Sequence, residues 1–122
     1  MNKSVTFANE NLRLDIGRIA RLTLQKPQAL NAMSHGMWLG FKEAIEYVSL
    51  EKEVRVLILT GQGDRAFSAG ADITEFPITY ESEITASAYN NAVRNAQAAL
   101  AELSIPTIAE IRGICFGGGC GL

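Results

Sequence analysis

Ala66-Phe67-Ser68-Ala69-Gly70-Ala71-Asp72-Ile73 is the stretch on which the reading of this 122-residue chain turns. It follows an apolar run, Val54 to Thr60, and a loop that holds Gly61 and Gly63. Small residues at Ser68, Ala69, Gly70 and Ala71 let a ligand come close to the main chain. Asp72-Ile73-Thr74-Glu75 reads as the start of a short helical turn, whose first N–H groups lack intrahelical partners and favour negative charge. A second stretch of the same kind is Gly113-Ile114-Cys115-Phe116-Gly117-Gly118-Gly119-Cys120-Gly121. Two sets of main-chain donors facing one atom are the physical requirement for an oxyanion hole. Either stretch alone is equally well a tight turn after a buried strand; the two together point to chemistry.

Leu12, Leu14 and Ile16 alternate with Arg13 and Asp15, the pattern of a half-buried strand. Gly17 turns the chain, and Ala20, Leu22 and Leu24 form a second strand as its hairpin partner. Val5-Thr6-Phe7 adds a short strand before them. Lys26-Pro27 stops the second strand, because proline cannot donate to a ladder, and residues 28–33 read as a loop or loose turn. Ser34 suits the N-cap of a helix over about 35–50. Met37, Phe41, Ala44, Ile45 and Val48 make its apolar face, and Lys42 and Glu46 form a solvated i,i+4 pair. Trp38, Phe41 and Met37 read as core, and His35 as a surface residue at the helix start. Val54 to Thr60 fits a parallel strand covered on both faces. Pro77 ends the short turn after Asp72. A helix from about 81 to 103 turns Ile84, Ala88, Ala92, Ala96, Ala99 and Leu103 to one side, and Ser104-Ile105-Pro106 stops it. Thr107 to Ile111 reads as another buried strand, and the glycine-rich segment after it should open one more helix. The order is that of an α/β unit ending at a helix start, and a lone turn there cannot bury a face. The 122 residues are therefore expected to be a fragment of one longer domain.

The totals exclude several classes. The formal net charge is −2, with both signs scattered, whereas a nucleic-acid surface carries a basic excess. No run approaches the ~18 apolar residues of a membrane span, and the first residues are not followed by a signal-peptide core. Cys115 and Cys120 have neither C-x-x-C spacing nor a nearby histidine, so no zinc site is expected. Reduced thiols and a cytoplasmic location are the expectation.

Four segments carry a family resemblance: Leu24-Gln25-Lys26-Pro27-Gln28-Ala29-Leu30-Asn31-Ala32, Val54-Arg55-Val56-Leu57-Ile58-Leu59-Thr60-Gly61, the opening stretch, and Ile105-Pro106-Thr107 through Leu122. Each is common alone; all four in this order and spacing are specific. The chain resembles the N-terminal portion of the enoyl-CoA hydratase/isomerase family, also called the crotonase superfamily. The resemblance implies an α/β fold, a crotonase-like spiral of ββα units, incomplete at the C-terminus. It implies acyl-CoA thioesters as ligands, coenzyme A being part of the substrate with no separate cofactor, and homotrimers or hexamers for a full-length chain. Carried over by position, Ala71 and Gly118 match the two backbone N–H groups that hold the thioester oxygen and stabilise an enolate. Ala69 and Ala71 match positions whose backbone helps bind the adenine part of coenzyme A. Lys26, Gln28 and Ala29 fall in the loop near its phosphates. Gln28 stands where many relatives carry a basic residue, which leaves Lys26 as a weaker candidate for that charge.

Two departures bear on the reaction. Family hydratases have a glutamate directly after the Gly-Gly-Gly-Cys run, where this chain has Gly121. Their second glutamate would fall after Leu122. Adding water across a double bond needs acid and base groups within hydrogen-bond reach, so ordinary hydration, the family default, is put in question. An isomerase or another single-carboxylate reaction would keep the oxyanion hole, and an inactive fragment is the blandest reading. Two rivals come from other classes. Residues 66–70 differ from the G-x-S-x-G nucleophile elbow only at the first position, which would make Ser68 a nucleophile. The one histidine, His35, precedes it, against the chain order of that fold. Gly117, Gly119 and Gly121 give G-x-G-x-G after a strand, but the dinucleotide form G-x-G-x-x-G is unmet and a P-loop lysine is absent.

Overall fold

The structure is a computed structural model and describes residues 3–115 and 117. The chain opens with three strands, β1 (Lys3–Phe7), β2 (Leu12–Ile16) and β3 (Ile19–Leu24). The helix α1 (His35–Ser49) leads to β4 (Val56–Gly61) and the short β5 (Ala66–Ser68). A one-turn helix α2 (Phe76–Thr79) precedes α3 (Glu83–Glu102), and β6 (Thr107–Glu110) and β7 (Ile114–Cys115) follow. One sheet has the order β1-β2-β3-β4-β6, antiparallel over its first three strands and parallel from β3 to β6. The second sheet is the parallel pair β5-β7.

Register explains the core. Leu14 opposes Leu22, and Leu22 opposes Leu59; Ala20 opposes Leu57. Strand residues alternate faces, so these side chains share one side of the sheet, and all are buried. Onto that side α1 presents Met37, Trp38, Phe41, Ala44, Ile45 and Val48. Each large apolar side chain so buried contributes about 1.5–3 kcal/mol. The small buried residues Ala92 and Ala96 let α3 lie close to α1. The alternate side chains carry polar links instead: Arg21 to Glu110 at 3.1 Å, Thr60 to Glu110 at 3.2 Å and Arg13 to Asp15 at 3.1 Å.

Both opening strands, α1 with its Ser34 cap, and the α/β order agree with the sequence reading. Four details differ. Pro77 does not end the turn after Asp72: it sits in the first turn of α2, where its missing N–H has no helical partner to lose. On α3 the expected face holds at Ala92 and Ala96, which are buried, and at Ala99 and Leu103, which pack partly against the core, but Ala88 is exposed, Ile84 is 82 % exposed, and Tyr89 is buried instead. β6 forms where expected but is not buried: it is the edge strand of the sheet among the described residues, exposed on both faces, with Ile108 54 % exposed. Lys42 and Glu46 line a groove between α1 and α3 without closing an ion pair. The helix expected after residue 117 lies outside the described residues.

Candidate functional site

The loop after β5 is laid along residues 30–33 by main-chain bonds. The Ala69 N–H donates to the Leu30 carbonyl at 3.0 Å, the Met33 N–H to Gly70 at 2.6 Å, and the Asp72 N–H to Met33 at 2.9 Å. Met33 and Ala71 thus form a parallel bridge. In that geometry Met33 uses the groups on either side of Ala71, and the N–H of Ala71 points the other way. Among the described residues that N–H has no partner.

Asn31 holds this geometry from beneath. Its side-chain amide donates to the carbonyls of Ala66 at 2.9 Å and Gln62 at 3.2 Å, and its Oδ1 accepts from the Lys26 N–H at 2.9 Å. Its backbone is left-handed, φ 55°, a conformation asparagine tolerates better than most residues. Gly61 lets the strands close over it: a Cβ there would stand 2.5 Å from the Phe67 carbonyl and 2.7 Å from the Asn31 amide nitrogen. No motif singles out Asn31 by itself, and its place directly after a turn is the signal that the sequence offers.

Ser68 belongs to the same frame. It is fully buried, its Oγ donates to the Asn31 carbonyl at 2.8 Å, and it accepts from the Gly70 N–H at 3.2 Å. A hydroxyl with both functions committed and no access to solvent is no nucleophile. His35, the base that rival would need, stands at the start of α1 with its ring edge-on to Tyr89, 5.8 Å between centroids. The His35 backbone N–H donates to Glu75 Oε1 at 2.8 Å.

The pairing of β5 with β7 brings the second glycine-rich stretch beside the first. The Ile114 N–H donates to Arg65 at 3.0 Å. Gly113 has φ 72°, and a Cβ on it would lie 2.2 Å from the Arg65 carbonyl, so only glycine permits this approach. At Gly117 a Cβ would lie 3.9 Å from the Cα of Gly70. The two backbones are therefore neighbours at Gly70 and Gly117. Gly118 and Gly121 lie outside the described residues.

Ala71 borders a cleft of about 340 Å³. Trp38, Tyr89 and Val93 form its apolar part, and Asn90, Arg94 and Gln97 join them along α3. The Trp38 indole N–H donates to the Tyr89 hydroxyl at 3.3 Å, and burial pushes the Tyr89 phenol above its ordinary range.

On the opposite flank, Lys26 Nζ meets Asp72 Oδ2 at 3.0 Å, with side chains only 20 % and 13 % exposed. Asp72 also accepts from the N–H of Thr74 at 3.0 Å as the N-cap of a 3-10 turn, Ile73–Glu75, which matches the expected helical turn. Hydrogen bonding from the Thr74 hydroxyl, and then from Lys26, holds the Asp72 carboxyl below its usual range. Gln28 is exposed and Ala29 half-buried on the 3-10 turn Pro27–Ala29. Ala69 has its N–H committed to the Leu30 carbonyl. Among the described residues no group of histidine, cysteine or carboxylate side chains could hold a metal ion, and no helix is long and apolar enough to cross a membrane.

Residues 16–122 match the sequence profile of the family described as enoyl-CoA hydratase/isomerase. A Dictyostelium discoideum protein named "Probable enoyl-CoA hydratase, mitochondrial" is 37% identical over 106 residues, 87% of this chain and 36% of its own. The crotonyl-CoA hydratase of Syntrophomonas wolfei is 33% identical over 117 residues, 95% of this chain and 44% of its own. Among solved structures, an enoyl-CoA hydratase/carnithine racemase from Magnetospirillum magneticum superposes with TM-score 0.85 at 39% identity, covering 89% of this chain and 41% of its own. The chain thus spans about two-fifths of the length of these relatives. With its α/β order, its two adjacent glycine-rich bends and these matches, the chain belongs to the enoyl-CoA hydratase/isomerase family and has the crotonase-type fold over the part that it spans.

Proposed function

We propose that residues 1–122 are the N-terminal part of a crotonase-fold domain and carry the thioester-binding side of an acyl-CoA enzyme. The backbone N–H groups of Ala71 and Gly118 hold the thioester oxygen, and negative charge that develops there forms an enolate. The single observation that supports this most is the Ala71 N–H, turned away from Met33 with no described partner, on the wall of the 340 Å³ cleft. Fixed donors of this kind need no reorganisation when charge appears, and losing one costs about 3–4 kcal/mol in other oxyanion holes. The nearness of Gly117 to Gly70 supports Gly118 as the second donor.

In the same reading, the carbonyl of Ala69 and the backbone of Ala71 face the adenine part of coenzyme A. Lys26, Gln28 and Ala29 lie toward its phosphates, and Lys26 shares its charge between Asp72 and a phosphate. Hydration of a 2-enoyl-CoA is the default reaction among the relatives, but Gly121 brings no carboxylate to the site. A double-bond isomerase or another reaction with one carboxylate therefore suits the chain better. A full-length chain would assemble as a trimer or hexamer.

The test is calorimetry of the chain with crotonyl-CoA, a 3-enoyl-CoA and coenzyme A, alongside assays of hydration and isomerisation. Binding of both thioesters without hydration of crotonyl-CoA is expected. Absence of binding by any of the three would remove the reading.

A further inference from the structure

The cleft beside Ala71 has one wall whose chemistry the thioester carbonyl does not use. Asn90, Arg94 and Gln97 stand three or four residues apart on α3 and so share a face of that helix, the face that lines the cleft. Val93 and Trp38 give the cleft an apolar part, and Tyr89, hydrogen-bonded by Trp38, brings a hydroxyl whose own proton is uncommitted among the described residues. Arg94 makes no ion pair or hydrogen bond among the described residues. Its helix neighbours at i±3 and i±4 are Asn91, Gln97, Asn90 and Ala98, none of them acidic. Among the described residues, a cationic fork with no counter-ion thus lines the same cleft as the Ala71 N–H, itself without a partner there.

An alkyl tail running along this wall would strip water from a guanidinium and two amides without replacing their hydrogen bonds, which is costly. A carboxylate would replace them: guanidinium and carboxylate match as a two-bond fork, and the amides of Asn90 and Gln97 supply further donors. We infer that this cleft selects acyl-CoA thioesters whose acyl group ends in a carboxylate, with Arg94 as the residue that reads that end. The inference rests on the thioester reading above and adds the class of acyl group.

The experiment compares glutaryl-CoA with hexanoyl-CoA, a neutral thioester of similar length, by calorimetry on the chain and on Arg94→Gln. Butyryl-CoA and coenzyme A are titrated in parallel. Glutaryl-CoA should bind about tenfold tighter than hexanoyl-CoA, the scale of a hydrogen-bonded charge pair. Arg94→Gln should abolish that preference and leave butyryl-CoA unchanged, which also establishes that the variant is folded. Equal or tighter binding of hexanoyl-CoA would overturn the inference while the thioester reading stands. An equal loss for all four ligands in Arg94→Gln would place Arg94 on the coenzyme A phosphates and overturn it likewise. Binding of none of the four to the unaltered chain would overturn both.

Discussion

Asn31 commits its whole side-chain amide to main-chain groups from three separate segments, at Lys26, Gln62 and Ala66. Truncating it leaves buried carbonyls without donors, and each such group costs about 1–3 kcal/mol. Asn31→Ala should therefore lower the free energy of unfolding by about 2–3 kcal/mol in urea titration, and weaken thioester binding because Ala69 to Ala71 lose their support. Ser68→Ala removes a bond to Asn31 and one to Gly70, and about 1–2 kcal/mol should go with them. A fluorophosphonate probe should leave Ser68 unlabelled, and labelling would restore the hydrolase reading. The Lys26–Asp72 pair carries a pH dependence. The folded carboxyl of Asp72 sits below its ordinary 3.8, so the unfolded chain takes up a proton first as pH falls. The stabilisation is complete above about pH 4–5 and fades as pH drops through the lower folded value. Asp72→Asn should accordingly be less stable than the unaltered chain at pH 7, and the gap should narrow below pH 4. A gap that stays constant across that range would contradict this account of the pair.

Two caps illustrate how far sequence alone reaches at the scale of an element. Ser34 and the apolar spacing after it identify α1 almost to the residue, because cap and periodicity agree. At α3 the start is a capping box: the Ser82 hydroxyl accepts from the Thr85 N–H at 3.2 Å, and Thr85 returns a bond to the Ser82 N–H at 3.2 Å. Ser82→Ala should cost about 1 kcal/mol in thermal or urea unfolding, with the first turn of α3 fraying before the rest. Periodicity locates α3 and the C-terminal part of its buried stripe, but carries the stripe too far toward the N-terminus, since Ile84 obeys the helical period and is yet 82 % exposed. Pro77 misled for a related reason: proline ends a helix from inside but is at home in the first turn, and local sequence does not distinguish the two until the chain path is known. The glycine-rich bends were legible because close approach leaves only glycine or alanine. The polar wall of Asn90, Arg94 and Gln97 was not, because exposed polar residues on a helix look the same whether they face solvent or a cleft.

For the whole molecule, the one-sided burial of the sheet matters most. The side under α1 and α3 is closely packed, while Ile19 and Ile108 are 62 % and 54 % exposed. β4 reads in sequence as a strand covered twice, and here Ile58 on it is only half-buried. Apolar residues at these positions follow a strand period that the described residues do not fill. Parallel β4 ends at Gly61, β5 and β7 pair with one another, and α3 lines the cleft that Trp38 and Ala71 border. The proposed reading stands or falls on a hydrogen bond from the Ala71 N–H to a thioester oxygen. Two-dimensional 15N–1H NMR of the labelled chain, titrated with crotonyl-CoA and separately with coenzyme A, tests it directly. The account predicts that the Ala71 amide proton moves downfield with crotonyl-CoA and far less with coenzyme A, which has no thioester oxygen. A bound thioester that shifts other amides and leaves Ala71 unmoved would contradict it.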